Sequence, residues 1–272
     1  MSPVSLVLVG CGKMGGALLE GWLERGIEAA NVTVIEPSAE TAANLEKKFA
    51  VRLIDSPAAI GSDFAPEVVV FAVKPQVMDE VVPPYARFAG PGCVFLSIAA
   101  GRTVGYFRGK LGAGAAIVRA MPNTPAAVRR GITVAVANPL VTDEQCDTCN
   151  GLLEAVGEVA WTGDEELLDA VTALSGSGPA YVFLLAECMA AAGIEAGLPA
   201  DLAHRLAAAT VSGSGELLRL SDDGPEVLRL NVTSPGGTTA AALEILMAGD
   251  GLELLMKKAV AAATERSREL AG

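Results

Sequence analysis

The sequence predicts an α/β protein, a parallel sheet covered by helices on both faces, followed by an all-α region. Three observations carry this. Short β-branched runs alternate with helical segments through the first half, the pattern of buried parallel strands joined by crossover helices. A glycine-rich turn joins the first strand to the first helix. After about Thr162 the strands stop, and alanine and leucine recur at helical spacing.

Residues 4–9 (VSLVLV) read as a buried strand, and a helix follows over 14–25. Residues 31–36 form the next strand and 39–49 the next helix. Strands are expected at 67–73, 93–98 and 115–121 with helical segments between them, and edge strands at 132–136 and 158–161. Helices are then expected over 165–174, 180–196, 200–220, 225–230, 239–247 and 252–270. The segment YVFLLAECMAAAGI is apolar on nearly every side, as in a helix buried all round. In so small a helical arm this points to interlocking subunits. The chain therefore divides into 1–162, a sheet domain, and 163–272, a helical domain.

The length of 272 residues fits one large or two ordinary domains. With 51% hydrophobic and only 4% aromatic residues, the core is built from Ala, Val, Leu and Ile. Unbroken apolar stretches such as 68–73 are far shorter than a membrane span. No basic-then-apolar segment precedes the first strand, so a cytoplasmic protein with no membrane partner is expected. A net charge of −12 argues against a nucleic-acid or anionic-membrane partner. Five cysteines, an odd number in a chain this size, fit a reducing compartment. Cys146 and Cys149 lack a second pair, so they read as a turn of helix rather than a zinc site, and no metal is expected. The single histidine, His204, reads as a packed or surface residue.

Gly10-Cys11-Gly12-Lys13-Met14-Gly15 follows a strand and opens a helix, the context that a dinucleotide-binding fingerprint requires. Gly10 makes the tight turn, Gly12 lets the backbone approach a pyrophosphate, and Gly15 permits close helix–sheet packing. Glu36 ends the second strand. There it either accepts both ribose hydroxyls of NAD and repels the 2′-phosphate of NADP, or turns to solvent. Ser38, Lys47, Lys48 and Arg52 are the nearby groups that could soften that repulsion.

Phe71-Ala72-Val73-Lys74-Pro75 ends a strand at the rim where open α/β sheets bind ligands, and Pro75 suits the first turn of a helix. Lys74 is either an exposed strand-end lysine or a cofactor contact. Residues 97–101 (SIAAG) and 121–125 (MPNTP) end the next two strands, which places Asn123 and Thr124 to line a pocket. Residues 175–181 (SGSGPAY) serve close helix packing or a ligand. Residues 231–239 (NVTSPGGTT) form a polar loop before the helix AAALEILM. It is either an elaborate cap or an anion seat, with the amides of Gly236, Gly237, Thr238 and Thr239 open among the hydroxyls of Thr233, Ser234, Thr238 and Thr239.

Taken together, GCGKMG, FAVKP, MPNTP, SGSGPAY and NVTSPGGTT, in this order and at these spacings, resemble the pyrroline-5-carboxylate reductase family over essentially the whole chain. The resemblance implies a Rossmann domain followed by an all-α dimerisation domain, often assembled into larger rings. It implies reduction of the cyclic imine 1-pyrroline-5-carboxylate to L-proline by NAD(P)H. The cofactor would contact residues 10–15, Ser56, Ala72, Val73, Lys74, Pro75, Ile98, Ala99 and Ala100. The substrate would contact Asn231, Gly237, Thr238, Thr239 and Glu165. Glu36 stands where relatives that favour NADPH carry a small polar residue, and Ser56 where many carry Asn. The family suggests NADP, and Glu36 suggests that NAD is also used.

The chemistry of the residues agrees. The chain has one His and no clear nucleophile–base pair. An alcohol dehydrogenase needs a base for the hydroxyl proton, whereas a cyclic imine can arrive already protonated and needs mainly orientation. Thr239 would hydrogen-bond the ring nitrogen, and Lys74 would position the nicotinamide end or balance charge. The β-hydroxyacid dehydrogenases share the glycine loop but place a lysine on the helix after their glycine-serine motif. Here no lysine occurs between Lys110 and Lys257. A protein that only senses NAD(P) would not need the 231–239 loop.

Overall fold

The computed structural model describes residues 4–61 and 63–271. Among them, eight strands form one sheet: β1 (Leu6–Val9), β2 (Val32–Ile35), β3 (Arg52–Ile54), β4 (Val68–Phe71), β5 (Val94–Ser97), β6 (Ala116–Met121), β7 (Gly131–Ala137) and β8 (Gly157–Trp161). Between them run helices α1 (Lys13–Glu24), α2 (Ala39–Lys48), α3 (Met78–Val81), α4 (Val104–Leu111) and α5 (Asp143–Glu154). Then follow α6 (Leu167–Val171), α7 (Gly178–Glu195), α8 (Ala200–Leu220), α9 (Pro225–Asn231), α10 (Thr238–Leu246) and α11 (Leu252–Ala271).

The strand order is β3-β2-β1-β4-β5-β6-β7-β8. Strands β1 to β6 pair in parallel, β7 runs antiparallel to β6, and β8 is parallel to β7. The chain winds outward from β1 to β3, then crosses back to place β4 on the other side of β1. This reversal opens a crevice at the carboxyl ends of β1 and β4, the place where such sheets bind ligands.

Alternation along each strand fills both faces. Leu6, Leu8, Val68, Val70 and Leu96 pack with Leu18, Leu19 and Trp22 of α1 and with Leu152 and Leu153 of α5. Val7, Val9, Val69, Phe71 and Phe95 pack with Met78, Tyr85 and Phe107 on the other face. Runs such as VVVF are therefore apolar at every position because both faces are covered.

Two expectations need correction, and one strand is additional. β7, read as an edge strand, lies inside the sheet between β6 and β8, and only β8 ends that side. The opposite edge is β3, three residues too short and too exposed to show a pattern. The helix expected over 165–174 is a short α6 that widens into a π turn over Thr172–Gly176, where the Thr172 hydroxyl donates to the Leu168 carbonyl at 2.7 Å.

By packing, one compact unit runs to Gly176 and resumes at Thr264, and the other is Ser177–Ala263. The change from strand to helix at 162/163 thus precedes the boundary between compact units, and the second boundary falls inside α11. Within the first unit, Ser267 donates to Asp169 Oδ1 at 2.6 Å.

The helix expected to be buried all round is not covered by its own chain. Of α7 only Ala190 is buried, while Phe183 is 62% and Leu184 58% exposed. Among the described residues, Leu167–Glu195 is the one helical stretch long and apolar enough, by length and composition, to cross a membrane.

Candidate active site

The loop after β1 has the three properties that its glycines foretell. Gly10 has φ +84°, and a Cβ there would lie 2.5 Å from Val73 Cγ1 and 3.1 Å from the Ala72 carbonyl oxygen. A Cβ on Gly15 would lie 2.5 Å from the Gly10 carbonyl oxygen. Gly12 differs, because a Cβ there would meet no protein atom within 4 Å. Gly10 and Gly15 are thus required by the protein's own packing, while Gly12 faces open space. No side chain caps α1, so its first amides stand bare beside that space. This is the cradle a pyrophosphate needs, and the residues fit a dinucleotide.

Cys11 is buried in the turn, and burial, aided by the Glu36 carboxylate, pushes its thiol up to about 12. It stays protonated and inert as a nucleophile. Lys13 is exposed and Met14 half-buried on the first turn of α1.

Glu36 turns toward the loop rather than to solvent. Its Oε2 accepts from the Cys11 amide at 3.2 Å and its Oε1 from the Ser38 amide at 3.0 Å. Ser38 caps α2, its Oγ accepting from the amide of Thr41 at 3.3 Å. Two of the neighbouring cations are engaged elsewhere. Lys48 pairs with Glu20 at 2.6 Å, and Arg52 reaches the Ala59 carbonyl. Ser56, half-buried, follows β3 and starts the 3-10 turn Pro57–Ala59.

Beyond β4, Ala72 donates its amide to Val9 at 2.9 Å. Lys74 is exposed at the head of the turn Pro75–Val77. Beyond β5, Ile98 donates to Phe71 at 3.2 Å and Ala99 to the Ser97 hydroxyl at 3.3 Å. The glycine loop and these two segments border the crevice. Asn123, half-buried, is held by its own unit: its Oδ1 accepts from the Ile132 amide at 3.0 Å and its Nδ2 donates to Ser175. Thr124 is exposed.

Glu165, also named as a substrate contact, is held by its own unit. Its Oε1 accepts from Arg119 Nη1 at 2.9 Å and from the Val104 amide at 2.8 Å, at the start of α4. Arg119 is buried on β6. Neither Arg119 nor Arg102, which bonds the Pro75 carbonyl, stands out in the sequence, because each finds its partner only through the fold.

In the other unit, Ser234–Gly237 closes a tight turn, with Gly236 at φ +68° and the Gly237 amide donating to the Ser234 carbonyl at 3.0 Å. That amide is therefore not open to a ligand, contrary to expectation. Thr233 donates its hydroxyl to the Arg229 carbonyl at 2.7 Å. The Gly237 position gives α10 no side-chain cap, which leaves the amides of its first turn, from Thr238 and Thr239 onward, without helical partners. Asn231, at the end of α9, and Thr238 are exposed, and Thr239 is half-buried.

A family model described as pyrroline-5-carboxylate reductase dimerisation matches residues 165–270, and one described as NADP oxidoreductase, coenzyme F420-dependent, matches residues 5–101. The pyrroline-5-carboxylate reductase of Pseudomonas aeruginosa is 41% identical over 271 residues, covering 100% of this chain and 98% of its own. The chain belongs to the pyrroline-5-carboxylate reductase family. A solved pyrroline-5-carboxylate reductase from Coxiella burnetii superposes with a TM-score of 0.93 at 32% identity, covering all of both chains. The Plasmodium falciparum pyrroline carboxylate reductase, solved with NADP bound, gives 0.83 at 29% identity, also over all of both. This member of the family is a pyridine-nucleotide-dependent oxidoreductase and a homo-oligomer. Its matched dimerisation region contains the apolar α7 left uncovered by the single chain.

Proposed function

We propose a division of labour for the family's reaction, reduction of 1-pyrroline-5-carboxylate to L-proline by NAD(P)H, the last step of proline biosynthesis. The observation that carries it is the open face at Gly12 beside bare α1 amides, with Glu36 turned onto the same loop. Residues 10–15 hold the pyrophosphate, Glu36, Ser38 and Ser56 the adenosine end, and Ala72–Pro75 with Ile98–Ala100 the nicotinamide end. Bound there, the nicotinamide supplies the hydride. The first-turn amides of α10 hold the substrate carboxylate, with Asn231 beside them, and the Gly237 turn sets their direction. The Thr239 hydroxyl holds the ring nitrogen. Lys74 balances negative charge at the nicotinamide end. Glu165 acts by fixing Arg119 and the start of α4. The homodimer, assembled further into a ring, works in the cytoplasm, where its free cysteines remain reduced.

Steady-state assays with pyrroline-5-carboxylate and each cofactor test this reading. NADH is expected to be used at least as well as NADPH, because the Glu36 carboxylate opposes a 2′-phosphate. A strong NADPH preference would remove Glu36 from the ribose site. Thr239→Ala is expected to lower kcat/KM by about tenfold, the effect of one hydrogen bond to a charged group. An unchanged value would take Thr239 out of the mechanism.

A further inference from the structure

The rim beyond β4 and β5 is tied together by Arg102. Its guanidinium donates to the Pro75 carbonyl oxygen from both Nε, at 3.1 Å, and Nη2, at 2.8 Å. It also lies over the Tyr106 ring, 4.7 Å from the centroid, and 3.7 Å from Asp79 Oδ2. Asp79 accepts from the Tyr106 hydroxyl at 3.2 Å and pairs with Lys110 at 2.8 Å. A planar fork that hydrogen-bonds with its edge and stacks with its face is what arginine provides and lysine does not.

The address of this cluster matters more than its strength, since partly exposed ion pairs add little to stability. Pro75 closes the segment after β4, and Arg102 follows the segment after β5 through Gly101 at φ +69°. The β4–β5 ladder ends where Ile98 donates to Phe71. Past that point, among the described residues, the hydrogen bonds crossing between residues 72–77 and 98–103 are those from Arg102 to Pro75.

We propose that Arg102 is a positioning residue that sets the separation of the Ala72–Pro75 and Ile98–Ala100 segments, and with it the seat of the nicotinamide ring, without itself touching the cofactor. This rests on the assignment of those two segments to the nicotinamide end.

The test uses Arg102→Met, which keeps the stem and loses the donors, and Arg102→Lys, which keeps the charge and loses the fork. Three quantities are measured on the full-length protein: the Kd of NADH by its fluorescence, the Kd of ADP-ribose, which lacks nicotinamide, and the isotope effect on kcat/KM with NADH deuterated at the transferred position. Arg102→Met is expected to weaken NADH by about tenfold and raise the isotope effect, as misplacement of a reacting group does, while ADP-ribose stays within about twofold. Arg102→Lys should fall between, and it carries the test if the methionine variant does not fold. Parallel weakening of NADH and ADP-ribose overturns the proposal, as does an unchanged isotope effect or activity lost only in step with thermal stability. Ala100→Leu separates the two readings. If it weakens NADH while the Arg102 variants do not, the positioning role fails; if it leaves NADH binding unchanged, the assignment of the rim fails.

Discussion

Gly12→Val leaves the protein folded and unable to hold its cofactor. The position has φ −69°, which valine tolerates, and the added Cβ meets no protein atom within 4 Å. The structural cost is a poorer helix start, about 1 kcal/mol at most, so Tm should fall by no more than roughly 4 °C. The same side chain projects into the space where the pyrophosphate must approach bare amides. Loss of one or two hydrogen bonds to a charged group costs about 1.5–3 kcal/mol each, so the Kd of NADH should rise on the order of 100-fold. Gly10→Ala provides the contrast. Its Cβ would crowd Val73 and Ala72 at a positive φ, strain of about 1–3 kcal/mol, so its binding loss should come with a clear loss of Tm. Unchanged NADH affinity in Gly12→Val would remove the loop from the cofactor site.

Gly10, Gly12 and Gly15 show why this part of the candidate site is legible. A positive φ at Gly10 and a tight packing contact at Gly15 demand glycine, and the open face at Gly12 falls between them, so spacing and geometry are two views of one constraint. Glu36 was legible for a related reason: the end of β2 fixes where its side chain starts, and a carboxylate there meets the loop amides. The pairings that the sequence does not show depend on distant partners. Asn123 bonds Ser175, 52 positions away, and Arg119 meets Glu165 across 46. No local pattern announces either pair. β3 has no signature in the sequence because three residues, one exposed and two half-buried, carry no period. PGG supplies both a bare helix start and a turn that uses one of its amides, so the Gly237 amide reads as open in the sequence although the turn binds it. The apolar surround of α7 is visible in the sequence, and the small size of the helical arm points to cover from another copy, in keeping with its exposure in the single chain and the matched dimerisation region.

Glu165→Gln and Arg119→Met should lower thermal stability while leaving the KM for pyrroline-5-carboxylate within about twofold. Arg119 is 6% exposed and Glu165 29% in their side chains, with Nη1 to Oε1 at 2.9 Å. Removing one partner of a buried pair leaves the other charge uncompensated, typically 3–5 kcal/mol. Water still reaches Glu165, so about 2–3 kcal/mol is the better expectation here, a fall in Tm of roughly 6 °C or more. The two variants differ in an instructive way. Glutamine keeps an acceptor for the Val104 amide but strands the buried guanidinium, whereas methionine removes that guanidinium and leaves a carboxylate that can still cap α4. Glu165→Gln should therefore be the more damaging of the two. A carboxylate that held the substrate would behave oppositely, raising KM with Tm intact in Glu165→Gln and leaving Arg119→Met nearly silent in KM. Thermal melts and KM measured on the same preparations distinguish a brace from a ligand, and the short bonds to Arg119 and Val104 argue for the brace.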